Sequence, residues 1–355
     1  MKKILLFPLA IAALLLTGAG CVSLNSAGGH PTGADGGLFK TTSKGDEWAQ
    51  KAAIPSTTAE KKSMSGVNIT TITQDPEDPN TLYVGTTDSG MYYSYDGGES
   101  WAQPTQLSRG RIPAVAVHPK QKCTIYVAIE NKLLKSDDCS RTWNVVYLDS
   151  RVDKQTVAVA VDAMNPQTVW IANNSGDVLR SGDDGVSWAS VKSFGNPVVR
   201  LALHNGDPRR VYVATKSAGV WRSDDGGATW TDLSQKYTEF SGGTDFFDIA
   251  LGVSDPNTIV LATKYGLIRS VDAGNTWQGI DLLTPPGTAL IYSVAMDPKD
   301  VHNLYYGTST TFYRSPNGGV NWVPKKLPGS RTATVLAVDR NNSSVLYLGV
   351  TRFSK

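Results

Sequence analysis

Short apolar runs of strand length recur along most of the chain. Between Val198 and Trp230, in "VVRLALHNGDPRRVYVATKSAGVWRSDDGGATW", the runs VVRLAL, RVYVAT and GVWRS are separated by Pro, Asp, Asn and Gly. β-Branched and aromatic residues with this punctuation predict β-strands. A fourth strand is expected to start near the tryptophan. The pattern therefore predicts an all-β fold built from units of four antiparallel strands.

A polar octet that ends in tryptophan closes each unit. The octets are TTSKGDEW, SYDGGESW, SDDCSRTW, SGDDGVSW, SDDGGATW, SVDAGNTW and SPNGGVNW. Their tryptophans are Trp48, Trp101, Trp143, Trp188, Trp230, Trp277 and Trp322. The octets follow one another at intervals of about 40 to 50 residues, a period typical of propellers and solenoids.

The two ends of the chain carry complementary halves of one unit. The last residues, "TVLAVDRNNSSVLYLGVTRFSK", supply the first two strands of a unit. The segment "GGLFKTTSKGDEW" supplies only the last two strands of a unit. Pairing these ends closes a ring and removes the sheet edges of an open array. We therefore predict a seven-bladed β-propeller over residues 37–355, closed by one blade that both ends share.

The N-terminal segment has the composition of an export signal. Lys2 and Lys3 precede an apolar run that is too short to cross a bilayer, so residues 1–20 are predicted to be a cleaved signal peptide. The ending "GAGC" resembles a bacterial lipobox, which implies lipidation of Cys21. The alternative is an ordinary secretory signal. With Cys21 lipidated, residues 21–36 would form a flexible tether, and the protein would be an exported, membrane-anchored lipoprotein of the cell envelope.

Charge and histidine content narrow the function classes. Without Lys2 and Lys3, the basic and acidic residues balance, so no electrostatic footprint for nucleic acid is present. The four histidines, His30, His118, His204 and His302, are scattered over different units. Zinc and serine-type triads therefore have little support. We expect neither a metal nor a cofactor, and we expect a monomer.

The octet resembles the Asp-box, or bacterial neuraminidase repeat, with the pattern S-x-D-x-G-x-[ST]-W. The resemblance implies a structural turn: the aspartate accepts backbone hydrogen bonds, a glycine such as Gly227 supplies positive φ, and Trp230 packs against the next sheet. Calcium binding is the alternative for the paired acids, but one turn offers too few oxygens. The residues at the aspartate position are Asp96, Asp138, Asp183, Asp225, Asp272 and Asn317.

A basic residue precedes six of the octets. Because it recurs, it is expected to be a solvated or ring-stacked edge position and not a site. These residues are Lys40, Lys135, Arg180, Arg222, Arg269 and Arg314.

Two cysteines remain after Cys21. Cys123 starts the second strand of its unit and Cys139 replaces a glycine in the octet, so both should lie on one face of one blade. In an oxidising compartment this placement favours a disulfide; two free thiols are the alternative.

Enzymes that share the repeat offer one hypothesis. Sialidases carry their first arginine in an "RIP" motif, which Arg111 to Pro113 in "GRIPAVAV" resembles. Arg200 and Arg331 also begin inner strands, so a ring of arginines that binds a carboxylate is conceivable. Xyloglucan-cleaving enzymes use two propellers, and this chain has residues for one. Sortilin-type receptors need ten blades. A glycosidase would require a carboxylate pair, and the sequence selects none.

The overall pattern resembles the photosystem II assembly and stability factor-like family, which consists of single seven-bladed propellers that act as binding scaffolds. The resemblance implies a non-catalytic scaffold that binds a protein or glycan through the loops around the channel. A sialidase-like or glucan-cleaving hydrolase on the same face is the alternative. The irregular connection 231–245 is part of this face. The candidate binding residues are Arg109, Arg111, Arg151, Arg200, Arg331, Tyr237 and Phe240.

Overall fold

The computed structural model describes residues 35–57 and 62–353. The chain forms seven radially arranged sheets and one small hairpin. The strands are β1 Leu38–Thr41, β2 Ala49–Lys51, β3 Ala53–Ile54, β4 Lys62–Ser63, β5 Ile69–Gln74, β6 Leu82–Thr86, β7 Met91–Ser94, β8 Ala114–Val117, β9 Ile125–Ile129, β10 Lys132–Ser136, β11 Asn144–Leu148, β12 Thr156–Val161, β13 Val169–Asn173, β14 Asp177–Ser181, β15 Ala189–Ser193, β16 Val198–Leu203, β17 Val211–Thr215, β18 Val220–Ser223, β19 Thr231–Asp232, β20 Phe246–Leu251, β21 Ile259–Thr263, β22 Leu267–Ser270, β23 Gln278–Gly279, β24 Ser293–Asp297, β25 Asp300–Gly307, β26 Thr311–Ser315, β27 Val323–Lys326, β28 Thr332–Val338 and β29 Leu346–Thr351. Two 3₁₀ helices span Thr105–Leu107 and Ser234–Lys236.

The predicted seven-bladed propeller is confirmed, including its closure. One sheet has the order β2-β1-β29-β28, so strands from both ends of the chain share a blade, called here the clasp blade. Leu38 pairs with Gly349 and Thr41 with Leu346 in its antiparallel ladder. Blades 1 to 6 follow in chain order and begin at β5, β8, β12, β16, β20 and β24. The first strand of each blade is the innermost strand of its sheet and faces the central channel.

Blade 1 departs from the four-strand plan. Its sheet has three strands, and its fourth position is reduced to a single bridge between Tyr93 and Ala102. Pro104 then lacks the N–H that would continue the ladder, and the 3₁₀ helix buries Leu107 against this edge. The hairpin of β3 and β4 was not predicted; it lies in the long connection into blade 1, where the Ala53 carbonyl accepts the Trp101 N–H at 2.9 Å.

The hydrophobic core is divided among the contacts between neighbouring blades. The second strands are buried along nearly their whole length, as in β13 and β17. Their alternating side chains face the sheets on both sides, so both sets become buried. The cluster between the clasp blade and blade 1, for example, includes Leu38, Leu82 and Trp101. Each blade is thus stabilised by its two neighbours, as expected for a radial array.

The octets form the turn that the Asp-box resemblance implies. In the blade 4 octet, the Ser223 hydroxyl donates to Asp225 Oδ1 at 2.8 Å and accepts the Gly227 N–H at 2.8 Å. Asp225 also accepts the Thr229 N–H and, through Oδ2, its hydroxyl. These bonds, led by that of the Thr229 hydroxyl, lower the pKa of Asp225 to about 2. In the clasp blade Ser43 replaces the aspartate and accepts the Glu47 N–H at 3.0 Å.

The basic residues before the octets connect neighbouring blades. Arg222 Nη1 donates to the Ala273 carbonyl at 2.7 Å, and Arg269 Nη1 donates to the Gly318 carbonyl at 3.1 Å. In both cases the acceptor is the fourth octet residue of the next blade. Lys40, Arg180 and Arg314 contact the same position, Lys135 reaches the Asp184 carboxylate, and the Tyr95 hydroxyl serves this role in blade 1.

The backbone N–H of the fourth octet residue also donates a hydrogen bond within its own blade. The Gly226 N–H donates to the Arg209 carbonyl at 2.8 Å, and the Gly318 N–H donates to the His302 carbonyl at 2.7 Å. The expectation of a solvated edge is therefore wrong for these cations, since Lys135 and Arg222 are largely buried. The ring-stacked part holds for some, because Arg180 lies over Trp170. The repeated octets therefore serve to join blades.

The octet tryptophans pack against the preceding blade. The Trp188 indole N–H donates to the Val146 carbonyl at 2.9 Å, and that of Trp322 donates to the Asp281 carbonyl at 2.9 Å. Trp230 lies edge-on to Phe194 with ring centroids 5.1 Å apart. Both acceptors and Phe194 precede the blade that carries the tryptophan. The expected contact with the next sheet is thus made in the reverse chain direction.

Candidate functional site

The propeller has two unlike faces. The octet face carries the octets and the turns from first to second strands. The loop face carries the connections between blades and the turns from second to third strands. Because each blade has the same strand order, this assignment follows from the topology. Repetition belongs to the octet face, so a specific site is expected on the loop face.

Acidic residues concentrate on the octet face. Twenty of them lie in its turns, against fourteen basic residues that include the six before the octets. The other described residues carry sixteen basic and eleven acidic side chains, so the loop face has no acidic excess. The octet-face acids are Asp46, Glu47, Asp75, Glu77, Asp78, Asp96, Glu99, Asp137, Asp138, Asp162, Asp183, Asp184, Asp207, Asp224, Asp225, Asp255, Asp272, Asp297, Asp300 and Asp339.

Arg109 and Arg111 are the most available cations of the predicted site. They lie on the connection from blade 1 to blade 2, just before β8, and both are exposed. No hydrogen bond or ion pair of either side chain is found within residues 35–57 and 62–353. Ile112, between them and the strand, is fully buried and anchors the connection. Two guanidinium groups are therefore presented to solvent from a fixed backbone.

Arg151 is exposed but already paired. Its guanidinium contacts Asp149 Oδ1 at 3.1 Å, and the Asp149 carbonyl accepts the Asn131 side-chain amide. The bond to Asp149 is the main cause of the raised pKa of Arg151. Part of its donor capacity is thus used within the loop.

Arg200 lies inside the central channel. The channel has a volume of about 230 Å³ and is lined by the first strands of the blades. Arg200 Nε donates to Asp248 Oδ1 at 3.2 Å, and Asp248 Oδ2 accepts the Val294 N–H at 3.1 Å. Burial raises the pKa of Asp248, while Arg200 opposes that rise. The pair joins blades 4, 5 and 6.

Asp248 was missed by the sequence analysis. It is the one carboxylate among the described residues that line the channel. The available signal was a charged residue inside an otherwise apolar inner strand, "FFDIAL". Arg200 carries the same signal in "VVRLAL", and the two turn out to be partners.

Arg331 is not available as a ligand-binding residue. Its side chain is 6% exposed and its Nε contacts Asp35 Oδ1 at 3.0 Å. Its Nη1 donates to the Gly66 carbonyl and to Asn68 Oδ1. The proposed arginine ring is therefore wrong for this member: Arg331 fixes the entry of the chain into the clasp blade, and the contacts of the propeller begin two residues before the predicted boundary.

Tyr237 and Phe240 are also withdrawn from the exposed surface. Tyr237 is 1% exposed, accepts the Val220 N–H at 3.1 Å and packs on Trp277. Phe240 is half-buried with its ring 5.0 Å from that of Tyr265. The connection 231–245 packs on its own core, so its aromatics do not form a binding surface.

Cys123 and Cys139 lie together in blade 2 and are disulfide-bonded in the structure. The Cys139 N–H donates to the Cys123 carbonyl at 3.2 Å. In every blade, the fourth octet residue donates the same backbone bond to the turn between the first and second strands. The disulfide therefore links two residues that the repeat already brings into contact. The Cys21 prediction falls outside the described residues.

No cluster of residues that could hold a metal ion is present in the part of the chain that the structure describes. Within that same part, no helix is long and apolar enough to cross a membrane.

Comparisons with known proteins identify the fold class. No protein-family model matches the chain. A stretch of 90 residues is 31% identical to the probable oligoxyloglucan-reducing end-specific xyloglucanase of Neosartorya fischeri, and covers 24% of this chain and 10% of that protein. The GH74 xyloglucanase of Xanthomonas campestris superposes with a TM-score of 0.66 at 18% identity over 80% of this chain and 51% of its own. The structure of YCF48 bound to a D1 peptide superposes with a TM-score of 0.62 at 14% identity, over 86% of this chain and 98% of its own.

The chain therefore has the seven-bladed β-propeller fold that these proteins share. It spans about a tenth of the curated xyloglucanase and about half of the GH74 structure, but nearly the whole length of YCF48. At these identities the structural likenesses show the fold alone. Hydrolases and a peptide-binding protein share it, so the function has to be argued from the site.

Proposed function

We propose that this protein is a non-catalytic scaffold that binds an acidic segment of a partner protein on its loop face, at Arg109 and Arg111. The observation that carries the proposal is that these two neighbouring guanidinium groups are exposed and have no partner among the described residues. Each offers donors in a planar fork that fits carboxylates. The YCF48 structure, which holds a D1 peptide, supports a peptide as the ligand class.

The proposal includes export and anchoring. A disulfide such as Cys123–Cys139 is typical of proteins outside the reducing cytoplasm. The lipobox-like ending at Cys21 supports a lipid anchor in the cell envelope. Mass spectrometry of the chain from envelope membranes tests this part, since lipidation gives a diacylglycerol-modified N-terminal Cys21 and an ordinary secretory signal does not.

Peptide binding tests the scaffold. An array of 15-residue peptides rich in Asp and Glu, with Asn and Gln analogues of each, is probed with the chain from residue 22 onward. We expect acidic peptides to bind, and R109E/R111E to lower affinity at least tenfold. The matched control is Lys120→Glu, which reverses an exposed cation on the octet face. Equal loss in the control, or no preference for acidic peptides, would contradict the site.

A glycoside hydrolase is the second candidate, favoured by the 90-residue match to a xyloglucanase. Such an enzyme requires two carboxylates across the scissile bond, whereas the described channel lining offers Asp248 alone. Assays on xyloglucan, other β-glucans and sialosides decide between the candidates. Turnover that Arg111→Ala abolishes would replace the scaffold with an enzyme.

A further inference from the structure

Exposed bulky apolar side chains lie on both faces, but the leucines and the phenylalanine among those of the described residues all lie on the loop face. Leu148 is 58% exposed, Leu283 57%, Leu290 46% and Phe353 55%, and all four lie at loop-face ends of strands or in loop-face connections. Val152, at 82%, lies beside Leu148. Isolated apolar residues are normal on protein surfaces, but here the leucines and the phenylalanine share one side of the ring.

These side chains occupy three separate points around the ring. Leu148 and Val152 lie at the connection from blade 2 to blade 3, and Leu283 and Leu290 in that from blade 5 to blade 6. Phe353 follows β29 of the clasp blade and lies 5.6 Å from the Tyr292 ring. Three apolar points on one face suit contact with a flat surface better than insertion of a single ligand.

The distribution of charge also favours the loop face as the side that contacts an anionic surface. The acidic excess of the octet face would be repelled by an anionic surface, whereas the loop face has no such excess and carries Arg109 and Arg111, which have no ion-pair partner among the described residues. Lys216, exposed in the blade 4 turn, is another loop-face cation without an ion-pair partner in the described ranges. Basic residues near anionic lipid headgroups add attraction over about a Debye length.

The chain also enters and leaves the propeller on the loop face. Asp35, which precedes β1, contacts both Arg331 and Arg352. We propose that the loop face rests on the surface of an anionic lipid bilayer, with Leu283, Leu290 and Phe353 in the headgroup region. Apolar insertion supported by cations is how peripheral proteins hold such surfaces. This contact goes beyond the proposed function, because it requires neither the acidic partner nor the lipid on Cys21.

Vesicle binding tests the contact. The chain from residue 22 onward contains the whole closed ring and lacks Cys21, so it is floated with vesicles of phosphatidylcholine and 30% phosphatidylglycerol. We expect it to float with the vesicles, and L283D/L290D/F353D to lower the partition coefficient at least tenfold. The matched control is V186D/V271D/V320D, which places the same three negative charges at octet valines that are 85%, 61% and 77% exposed.

Three results would overturn the proposal: no flotation of the parent chain, equal loss in the octet control, or equal binding to pure phosphatidylcholine. Thermal unfolding of each variant establishes that the ring is intact. Acidic-peptide binding without vesicles separates this proposal from the proposed function, since the triple variant keeps Arg109 and Arg111. A parent chain that binds acidic peptides but not vesicles refutes the membrane contact, and a parent chain that binds vesicles but not acidic peptides refutes the scaffold.

Discussion

The octet face and the loop face use the same blades for opposite purposes. On the octet face, each octet makes nearly the same bonds, and a side chain from one blade reaches the fourth octet residue of the next. On the loop face, the described connections between blades differ in length, and polar groups such as Arg109 have no hydrogen-bond or ion-pair partner among the described residues. Repetition therefore marks the residues that hold the ring together, and the departures from it mark where a ligand can bind.

Arg331 lies on the loop face but stabilises the fold as the octet residues do. Its replacement is therefore expected to give the largest loss of free energy of unfolding. Arg331→Ala leaves half-buried Asp35 without its main cation and removes the bonds to Gly66 and Asn68. Arg331 is itself buried, and each polar partner left unpaired costs about 1–3 kcal/mol, so the loss of its bonds to Asp35, Gly66 and Asn68 together is about 3–5 kcal/mol. Chemical denaturation should show a drop of this order in the free energy of unfolding. Arg352→Ala is the control: it contacts the same carboxylate but is 60% exposed, and should cost under about 1 kcal/mol.

Removal of the disulfide is expected to give the next largest loss of stability. It closes a separation of 16 residues, for which chain-entropy arguments give about 3 kcal/mol. C123S/C139S should lower the denaturation midpoint accordingly, and dithiothreitol should destabilise the parent chain without affecting the variant. A parent chain that is insensitive to reduction would mean that the two thiols are free.

Removal of the hydrogen bonds of one octet serine should lower the free energy of unfolding by less. Ser223 is buried and connects Asp225 to the Gly227 amide, so Ser223→Ala leaves a buried N–H unpaired. This should lower the free energy of unfolding by about 1–3 kcal/mol. Ser217→Ala, in the exposed loop-face turn of the same blade, should change it by less than about 0.5 kcal/mol. Thermal unfolding that ranks the two serines in the reverse order would break the distinction between the faces.

Acid should act mainly through the octet face. Hydrogen bonds from the hydroxyl groups of Thr142, Ser187 and Thr229 lower the pKa values of Asp138, Asp183 and Asp225 to about 2. Because the pKa is lower in the folded chain, the stabilisation is present above about pH 4 and is lost as the pH falls towards 2. Circular dichroism across this range should follow the loss. A ring equally stable at pH 2 and pH 6 would contradict it.

The sequence was sufficient for the ring but not for the site. The octets are local signals, since Ser223, Asp225 and Gly227 bond to one another within five residues, so their spacing predicts seven blades. Arg331 could not be placed because its partner Asp35 lies 296 residues away. Tyr237 looked exposed for a similar reason: its burial depends on Trp277 from the next blade.

The central claim is that the loop face, and not the octet face, meets the partner. A photoreactive amino acid placed at Lys216 on the loop face, or at Val186 on the octet face, would report this directly in cells that make the protein. The account predicts a discrete protein adduct from position 216 that R109E/R111E removes, and none from position 186. An adduct from position 186, or equal adducts from both, would contradict it.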